Sequence, residues 1–507
     1  MPSSPSLAAR LTELWTVRGA CVVGTVIVLA SLYLWFVIHY SVNTLYWDDW
    51  SVVPLVHAAM HGHLTFSALW AQHNENRILV PNLILVGLGL LSRADTRTVL
   101  IVGAALLVVT FLLLLDLYRS YSGRALGVLS VLSLGLVWFS LADFANAMWA
   151  YQFAWYLVLF LLVSMLWCLL AVPRVTVTFV LACLAAVAAS YSSLQGLFLW
   201  PIGLLCLAWM WPEKQHAQRR RASVEMIAWV VSGSVATTVY FLGFVSTGPG
   251  HPSTALRHPV EVAKFFLVAV GNVIPIASPT DLFGTEVFGL VLSLAAVVVV
   301  VRSVCERRIN RRSPLVVALI AFACMFDLSI ALGRLSYGVS YALQPRYEMP
   351  NLVLLVAVVA YVAAHVPAGH PAQQWKRLGA LFERDSWSFL SGLLALIAFM
   401  VVVGIVVAQV STATQHGLTD AKSYNERLTN GARYLVNLDR VPEAQRPCYD
   451  TQVLIPGSYP SLAALRPLLL EARQDRLSLF APGPYRIYRA EGPPLVAQCG
   501  VPASAPS

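Results

Sequence analysis

The sequence predicts an all-α polytopic membrane protein of about 11–13 transmembrane helices, with a small C-terminal α/β or α+β external domain. Three observations predict it. Of 507 residues, 58% are hydrophobic and 12% charged, against roughly 25% charged in soluble domains. Apolar runs of bilayer-spanning length, about 17–25 residues, recur from one end of the chain almost to the other. After residue 410 the character changes, with charge, Pro and Gly rising.

Spans are expected near 20–40, 98–116, 125–141, 155–172, 175–190, 197–211, 224–246, 285–301, 315–333, 350–364 and 388–410. The first is too long for a signal-peptide core and lacks a small-residue cleavage site, so it reads as an uncleaved span. Three basic segments, WPEKQHAQRRR (211–221), VRSVCERRINRRS (301–313) and WKRLGALFER (375–384), lie between apolar runs, as cytoplasmic loops do. That placement makes the net charge of +9 topogenic and argues against a nucleic-acid partner, because no basic face or nucleic-acid fold accompanies it. With the N-terminus inside, residues 41–97 and the tail fall on the external side of the cell membrane. Two further apolar stretches, 77–91 and 262–277, are short or interrupted by Pro, Gly and Asn. They are either interfacial or re-entrant helices, or full crossings that shift the loop assignments by one.

The division is therefore a transmembrane domain over 1–410 and an external domain over 411–507. In the tail, LAALRPLLLEARQDRL reads as an amphipathic helix, LSLFAPGPYRIYR as short extended pieces and VPASAPS as disordered. Cys21, Cys168, Cys183, Cys206 and Cys324 fall in apolar runs, where cysteine acts as a small hydrophobe. Cys448 and Cys499 share the polar tail, and on an oxidising side they would form a disulfide.

The first loop concentrates chemistry: Asp48, Asp49, His57, His61, His63, His73, Glu75 and Arg77 all lie between residues 41 and 77. Adjacent carboxylates at a membrane surface can take a proton from a hydroxyl, hold a hard divalent cation, or simply solvate a loop. Trp47 and Trp50 beside them suit headgroup depth. QHNENR then brings His73, Asn74, Glu75 and Arg77 to the edge of an apolar run. Arginine there recognises phosphate or carboxylate, or pairs locally with Glu75.

Paired acids after the first span, a His/Asn/Glu/Arg segment before the next apolar stretch, many spans and a small tail domain together resemble the GT-C superfamily of membrane glycosyltransferases. The resemblance implies transfer of a sugar from a polyprenyl-phosphate donor to a cell-envelope acceptor (a glycan, lipid or protein) on the external face. It also implies that Asp48 or Asp49 is the catalytic base or a metal ligand, with Mg²⁺ or Mn²⁺ suiting the oxygen donors. The pair here is DD, where several members carry DE or ED.

An aspartate at the water boundary suits the base, and cations suit the departing lipid phosphate. Candidates for the phosphate, besides the QHNENR residues, are Arg334, Arg346 and Tyr347 in GRLSYGVSYALQPRYEMPN (333–351), with Arg257 and Lys264 behind them. The plainer account of Arg346 is an interface arginine paired with Glu348. Asp143, Asn146, Trp149 and Gln152, spaced by three, would line one helix face for the sugar or acceptor, or form an aromatic belt. Gln195 in YSSLQG is a further polar candidate.

His57 and His61 have i, i+4 spacing, but HAAMH lacks the glutamate of HExxH, so structural zinc and zinc hydrolysis are both disfavoured, and loop solvation or acceptor binding is the default for these histidines. No GxGxxG follows a strand and no P-loop occurs, which argues against a nucleotide-sugar domain. Asp327 inside a span is a candidate partner for Arg334 or Arg346, or a proton carrier. The competing class is therefore a lipid-linked sugar flippase or other polytopic transporter.

Overall fold

The computed structural model describes residues 16–173, 175–211, 216–246, 255–275, 281–310, 313–365 and 386–499. The expected disorder of VPASAPS and the basic loop 375–384 lie outside these residues. Among them, nine helices are long and apolar enough to cross a membrane. The chain is a multi-pass membrane protein.

The helices, in order, are α1 (Val17–Tyr40), α2 (Val52–Met60), α3 (Leu79–Ser92), α4 (Thr96–Ser122), α5 (Val128–Trp138), α6 (Phe153–Leu170), α7 (Thr176–Ser190) and α8 (Leu199–Trp209). Then come α9 (His216–Phe241), α10 (Pro259–Gly271), α11 (Phe283–Asn310), α12 (Leu315–Arg334), α13 (Glu348–His365), α14 (Ser386–Val436), α15 (Leu462–Gln474) and α16 (Pro484–Glu491). Local chemistry sets several ends. Asp95 caps α4 by accepting from the Arg97 N–H, and Gly123 closes it in the left-handed region at φ 64°. α6 is buried on most of its surface and forms the centre of the bundle against α4 and α7, while α12 packs on α13.

Of the eleven expected spans, nine coincide with the long helical segments, α5 counting with the turns that continue it to Met148; the other two, 175–190 and 197–211, are the short α7 and α8. Fifteen residues in α7 reach about 22 Å, short of a bilayer core of about 30 Å. The two ambiguous stretches are likewise short: α3 has 14 residues and α10 has 13. α3 stops where Arg93 and Ala94 both turn left-handed at φ 56°.

The tail differs from an α/β or α+β domain, because its described residues are helical and contain no strand. LSLFAPGPYRIYR, expected extended, is a 3₁₀ turn at Ser478–Phe480 followed by α16. Pro484 at the first helical position starts α16 and overrides the aromatic β-propensity. α14 runs unbroken through the expected boundary at 410/411.

Two cores result. The large one fills the bundle. The second joins the first loop to the tail, with Leu45, Trp50, Val53, Val56 and Leu69 packed against Tyr434, Tyr449, Leu454, Leu465 and Leu469. Cys448 and Cys499 are joined in a disulfide in this layer. Gly457 crosses α14 so closely that a Cβ there would lie 2.3 Å from the Arg427 carbonyl oxygen. That approach brings Ser458 to the first loop.

Candidate functional site

Residues 47–51 form a 3₁₀ turn that the tail pins from outside: the Trp47 N–H donates to the Ser458 carbonyl at 2.7 Å, and Trp50 Nε1–H to Ser458 Oγ at 3.1 Å. Trp50 is fully buried, so it anchors the turn in the loop–tail core and is not the interface residue expected. Trp47 sits at φ 46°, a strained conformation for a non-glycine residue, of order 1–3 kcal/mol. The turn sends the two aspartates in opposite directions.

Asp49 points inward. Its Oδ2 accepts the Tyr46 N–H at 3.0 Å and its Oδ1 the Tyr151 N–H at 2.7 Å. Burial pushes its carboxyl up to about 8 against the pull of those two amides, with the Asp48 charge adding to the rise. Asp49 does not line the cleft that Asp48 lines; it ties the turn to the start of the helices that follow. Asp48 faces outward into a cleft, 31% exposed at its side chain, and its one polar side-chain contact among the described residues is His73 Nε2, 3.3 Å from Oδ1.

QHNENR folds as a tight hairpin. Gln72–His73 pairs antiparallel with Asn76–Arg77, and Asn74 takes the left-handed turn position at φ 50°, which asparagine tolerates well. Asn76 Oδ1 accepts from the Leu194 N–H at 2.9 Å and from Ser193 Oγ at 3.2 Å, fixing the hairpin to the turn after α7. Glu75 pairs with Arg334 at the end of α12, 2.9 Å away, so the local pair with Arg77 does not form. Arg77 is buried, donates to the carbonyls of Trp70, Tyr240 and Leu242, and stacks 5.4 Å from the Trp70 ring. Its donors are turned to backbone carbonyls, away from the cleft.

Arg346 closes the other side. Its guanidinium donates to Tyr341 Oη at 2.7 Å and lies 5.7, 5.8 and 5.2 Å from the rings of Trp149, Tyr341 and Tyr347. Nε has no hydrogen-bond partner, and Arg346 has no carboxylate partner among the described residues. The expected pair with Glu348 is absent, because Glu348 is buried and hydrogen-bonded to Asn272.

Asp143, Asn146, Trp149 and Gln152 do not share one helix face, since the chain breaks at Trp149, which is extended. Asn146 Nδ2 donates to Asp143 Oδ1 at 2.5 Å and to the Arg346 carbonyl at 2.8 Å, so this pair supports Arg346 from behind. Trp149 anchors on the Tyr46 carbonyl at 3.1 Å, and only Gln152 of the four lines the cleft.

The cleft holds about 910 Å³ of empty space, open solvent at its mouth included. Asp48, His73, Asn74, Glu75, Arg334, Arg346 and Tyr347 all line it, and Gln195 joins them. Its walls are the ends of apolar helices: the start of α6, the turn after α7, the end of α12 and the start of α13. Asn76, one of the two amides of the QHNENR segment, also lines it, as do Tyr151, Trp155 and Ser329, which escape sequence reasoning. Tyr151 and Trp155 flank Gln152, which is the signal that marks them. Arg257 and Lys264 are exposed outside it, and Asp327 is fully buried in the bundle with neither oxygen hydrogen-bonded, away from Arg334 and Arg346.

The donor set does not suit Mg²⁺ or Mn²⁺. Such ions take several oxygen ligands, whereas Asp49 is turned away, Glu75 is held by Arg334, and Asp48 stands beside an imidazole and guanidinium groups. Chemically, the cleft offers one carboxylate not held by an arginine, a guanidinium without a carboxylate partner on an aromatic platform, and amide and hydroxyl groups between them. In comparison with known proteins, no family model, no curated protein and no solved structure matches the chain.

Proposed function

We propose that the protein is a membrane glycosyltransferase of the GT-C type, which moves a sugar from a polyprenyl-phosphate donor to a hydroxyl of a cell-envelope acceptor. The observation that carries this reading is the pairing, in one cleft at the ends of apolar helices, of the accessible carboxylate of Asp48 with the guanidinium of Arg346, which lacks an acidic partner. In the reaction the acceptor oxygen bonds to the anomeric carbon, and Asp48 receives the hydroxyl proton. The bond from that carbon to the phosphate oxygen breaks, and polyprenyl phosphate leaves with the electron pair, its growing charge met by Arg346. Tyr347 and Trp149 hold that guanidinium in place, and Gln152 and Gln195 suit sugar hydroxyls. The lipid tail stays among the helix ends throughout. The Cys448–Cys499 disulfide supports an external location for this face, since disulfides persist in oxidising compartments.

The test uses the purified full chain in lipid nanodiscs with a panel of synthetic short-chain polyprenyl-phosphate hexoses and pentoses, plus envelope extract as acceptor. Release of polyprenyl phosphate with a new glycosidic bond is expected for the wild type and not for Asp48→Asn. Equal turnover by the two proteins overturns the reading. The buried, unpartnered Asp327 favours a second reading, a lipid-linked sugar transporter that carries protons through the bundle. Movement of the donor across proteoliposomes without any new glycosidic bond supports that one instead.

A further inference from the structure

The histidines of the first loop, set aside on sequence grounds, meet a residue from the far end of the chain. His57 on α2 and His61, which caps that helix, stand one turn apart, and Asp475, which closes α15, lies 414 positions beyond His61. His57 Nδ1 is 2.6 Å from Asp475 Oδ2, and His61 Nε2 is 3.1 Å from Oδ1. One ligand atom from each of the three lies within 4.8 Å of the others. The His63 ring is 5.9 Å from that of His61 and 6.5 Å from that of His57.

Two further features make this a built site. Apolar packing of α2 on α15, through Val53, Val56, Leu465 and Leu469, fixes the two segments against each other. The Asp475 carboxylate sits at the C-terminal end of α15, where the helix dipole opposes negative charge and favours a cation. The cluster is also graded from solvent inward: the Asp475 side chain is 5% exposed and that of His61 41%, which leaves an entry path over a buried carboxylate.

We propose that His57, His61 and Asp475 bind a transition-metal dication, zinc by donor type, with His63 or water completing the shell, and that the ion staples the first loop to the tail. Zinc takes imidazole nitrogen and carboxylate oxygen at about 2.0–2.2 Å in a tetrahedral shell, which sets neighbouring ligand atoms about 3.3 Å apart. The two histidine–aspartate contacts lie within about 0.7 Å of that spacing, and the widest separation in the cluster, up to 4.8 Å, closes by about 1.5 Å when an ion draws the side chains together. The role is structural. No glutamate stands between the two histidines to serve as base, and none of the three ligands lines the cleft. The site therefore stands independently of the glycosyl-transfer reading.

The test is metal analysis and thermal unfolding of the purified full chain in detergent. The wild type is expected to bind about one zinc per chain, to lose several degrees of Tm on chelation and to regain them when zinc alone is added back. Cobalt substitution is expected to give the intense visible bands of tetrahedral coordination, a readout on unmutated protein that needs no folded variant. Asp475→Asn and His61→Ala are expected to lose binding, Asp475→His to keep it, and the control His258→Ala to match the wild type. The proposal is overturned by no saturable zinc or cobalt binding in the wild type, by equal stoichiometry in Asp475→Asn, or by a Tm that responds to pH and not to zinc, which would leave only a histidine–aspartate ion pair.

Discussion

Replacing the two adjacent aspartates one at a time separates chemistry from architecture. On the proposed reaction, Asp48→Asn removes the acceptor of the proton and little else. Its side chain is 31% exposed with one 3.3 Å contact, so the stability cost stays below about 0.5 kcal/mol. General-base contributions of about 10²–10⁴-fold correspond to about 2.7–5.4 kcal/mol in the barrier at about 1.36 kcal/mol per tenfold. Asp49→Asn does the reverse. The asparagine oxygen can accept from one of the Tyr46 and Tyr151 amides, but its NH₂ then faces the other N–H in a buried site. An unsatisfied buried donor pair costs about 1–3 kcal/mol, and the turn that aims Asp48 loosens with it. The assay is donor turnover in nanodiscs alongside unfolding followed by tryptophan fluorescence. Asp48→Asn is expected to be inactive with wild-type stability, and Asp49→Asn less stable but active per folded molecule. A fully active Asp48→Asn together with an inactive, fully stable Asp49→Asn would refute the assignment of the base.

Stability across pH carries a second signature of Asp49. Its folded carboxyl, raised to about 8, keeps a proton that the unfolded chain releases near about 3.9. Asp49 therefore contributes a loss of stability as pH rises from about 4 to about 8, levelling off above, and a titration of Tm is expected to show that slope flattened in Asp49→Asn. Arg346→Lys keeps the charge but gives up the planar contact with three rings, and is expected to raise the donor KM about ten- to a hundredfold, read from steady-state kinetics. Glu75→Gln breaks a partly exposed pair with Arg334, so stability should change by no more than about 1 kcal/mol while the double exchange Glu75→Arg with Arg334→Glu recovers donor binding. Cys448→Ser opens a closure spanning 51 positions, worth about 4 kcal/mol by loop entropy, and calorimetry is expected to show the tail unfolding at lower temperature.

Much of the site is legible in the sequence because a greasy chain has few places for polar groups. Asp48, His73, Glu75, Arg334 and Arg346 stand out against apolar runs, and the ends of those runs converge on one face of the bundle. What local pattern cannot supply is direction. Nothing in WDDW distinguishes the two acids until the backbone at Trp47 turns left-handed and Ser458, about four hundred positions away, fixes the indole of Trp50. Arg77 is misleading for the same reason: an arginine beside an acid looks like a pair, yet the carbonyls at the end of α9 take its donors. The period-three row from Asp143 to Gln152 fails because period alone presumes a continuous helix, and the chain breaks at Trp149. Short helices such as α7 and α8 have the hydropathy of spans without their length, which composition does not weigh.

The arrangement of the tail bears on why the acids are adjacent at all. A base must be accessible, and an accessible loop at a bilayer surface is mobile unless something buried holds it. Asp49 and Trp50 supply that hold from within the same turn, one through the amides of Tyr46 and Tyr151, the other through the tail core. Asp48 is thereby aimed by its neighbours on both sides of the turn, and the tail becomes part of the apparatus that positions it. On this argument a truncation after α14 should remove activity without touching a single residue that lines the cleft, because Trp50 and the Trp47 amide would lose Ser458. A truncated protein that inserts, folds and turns over donor at the wild-type rate would show that the turn holds itself.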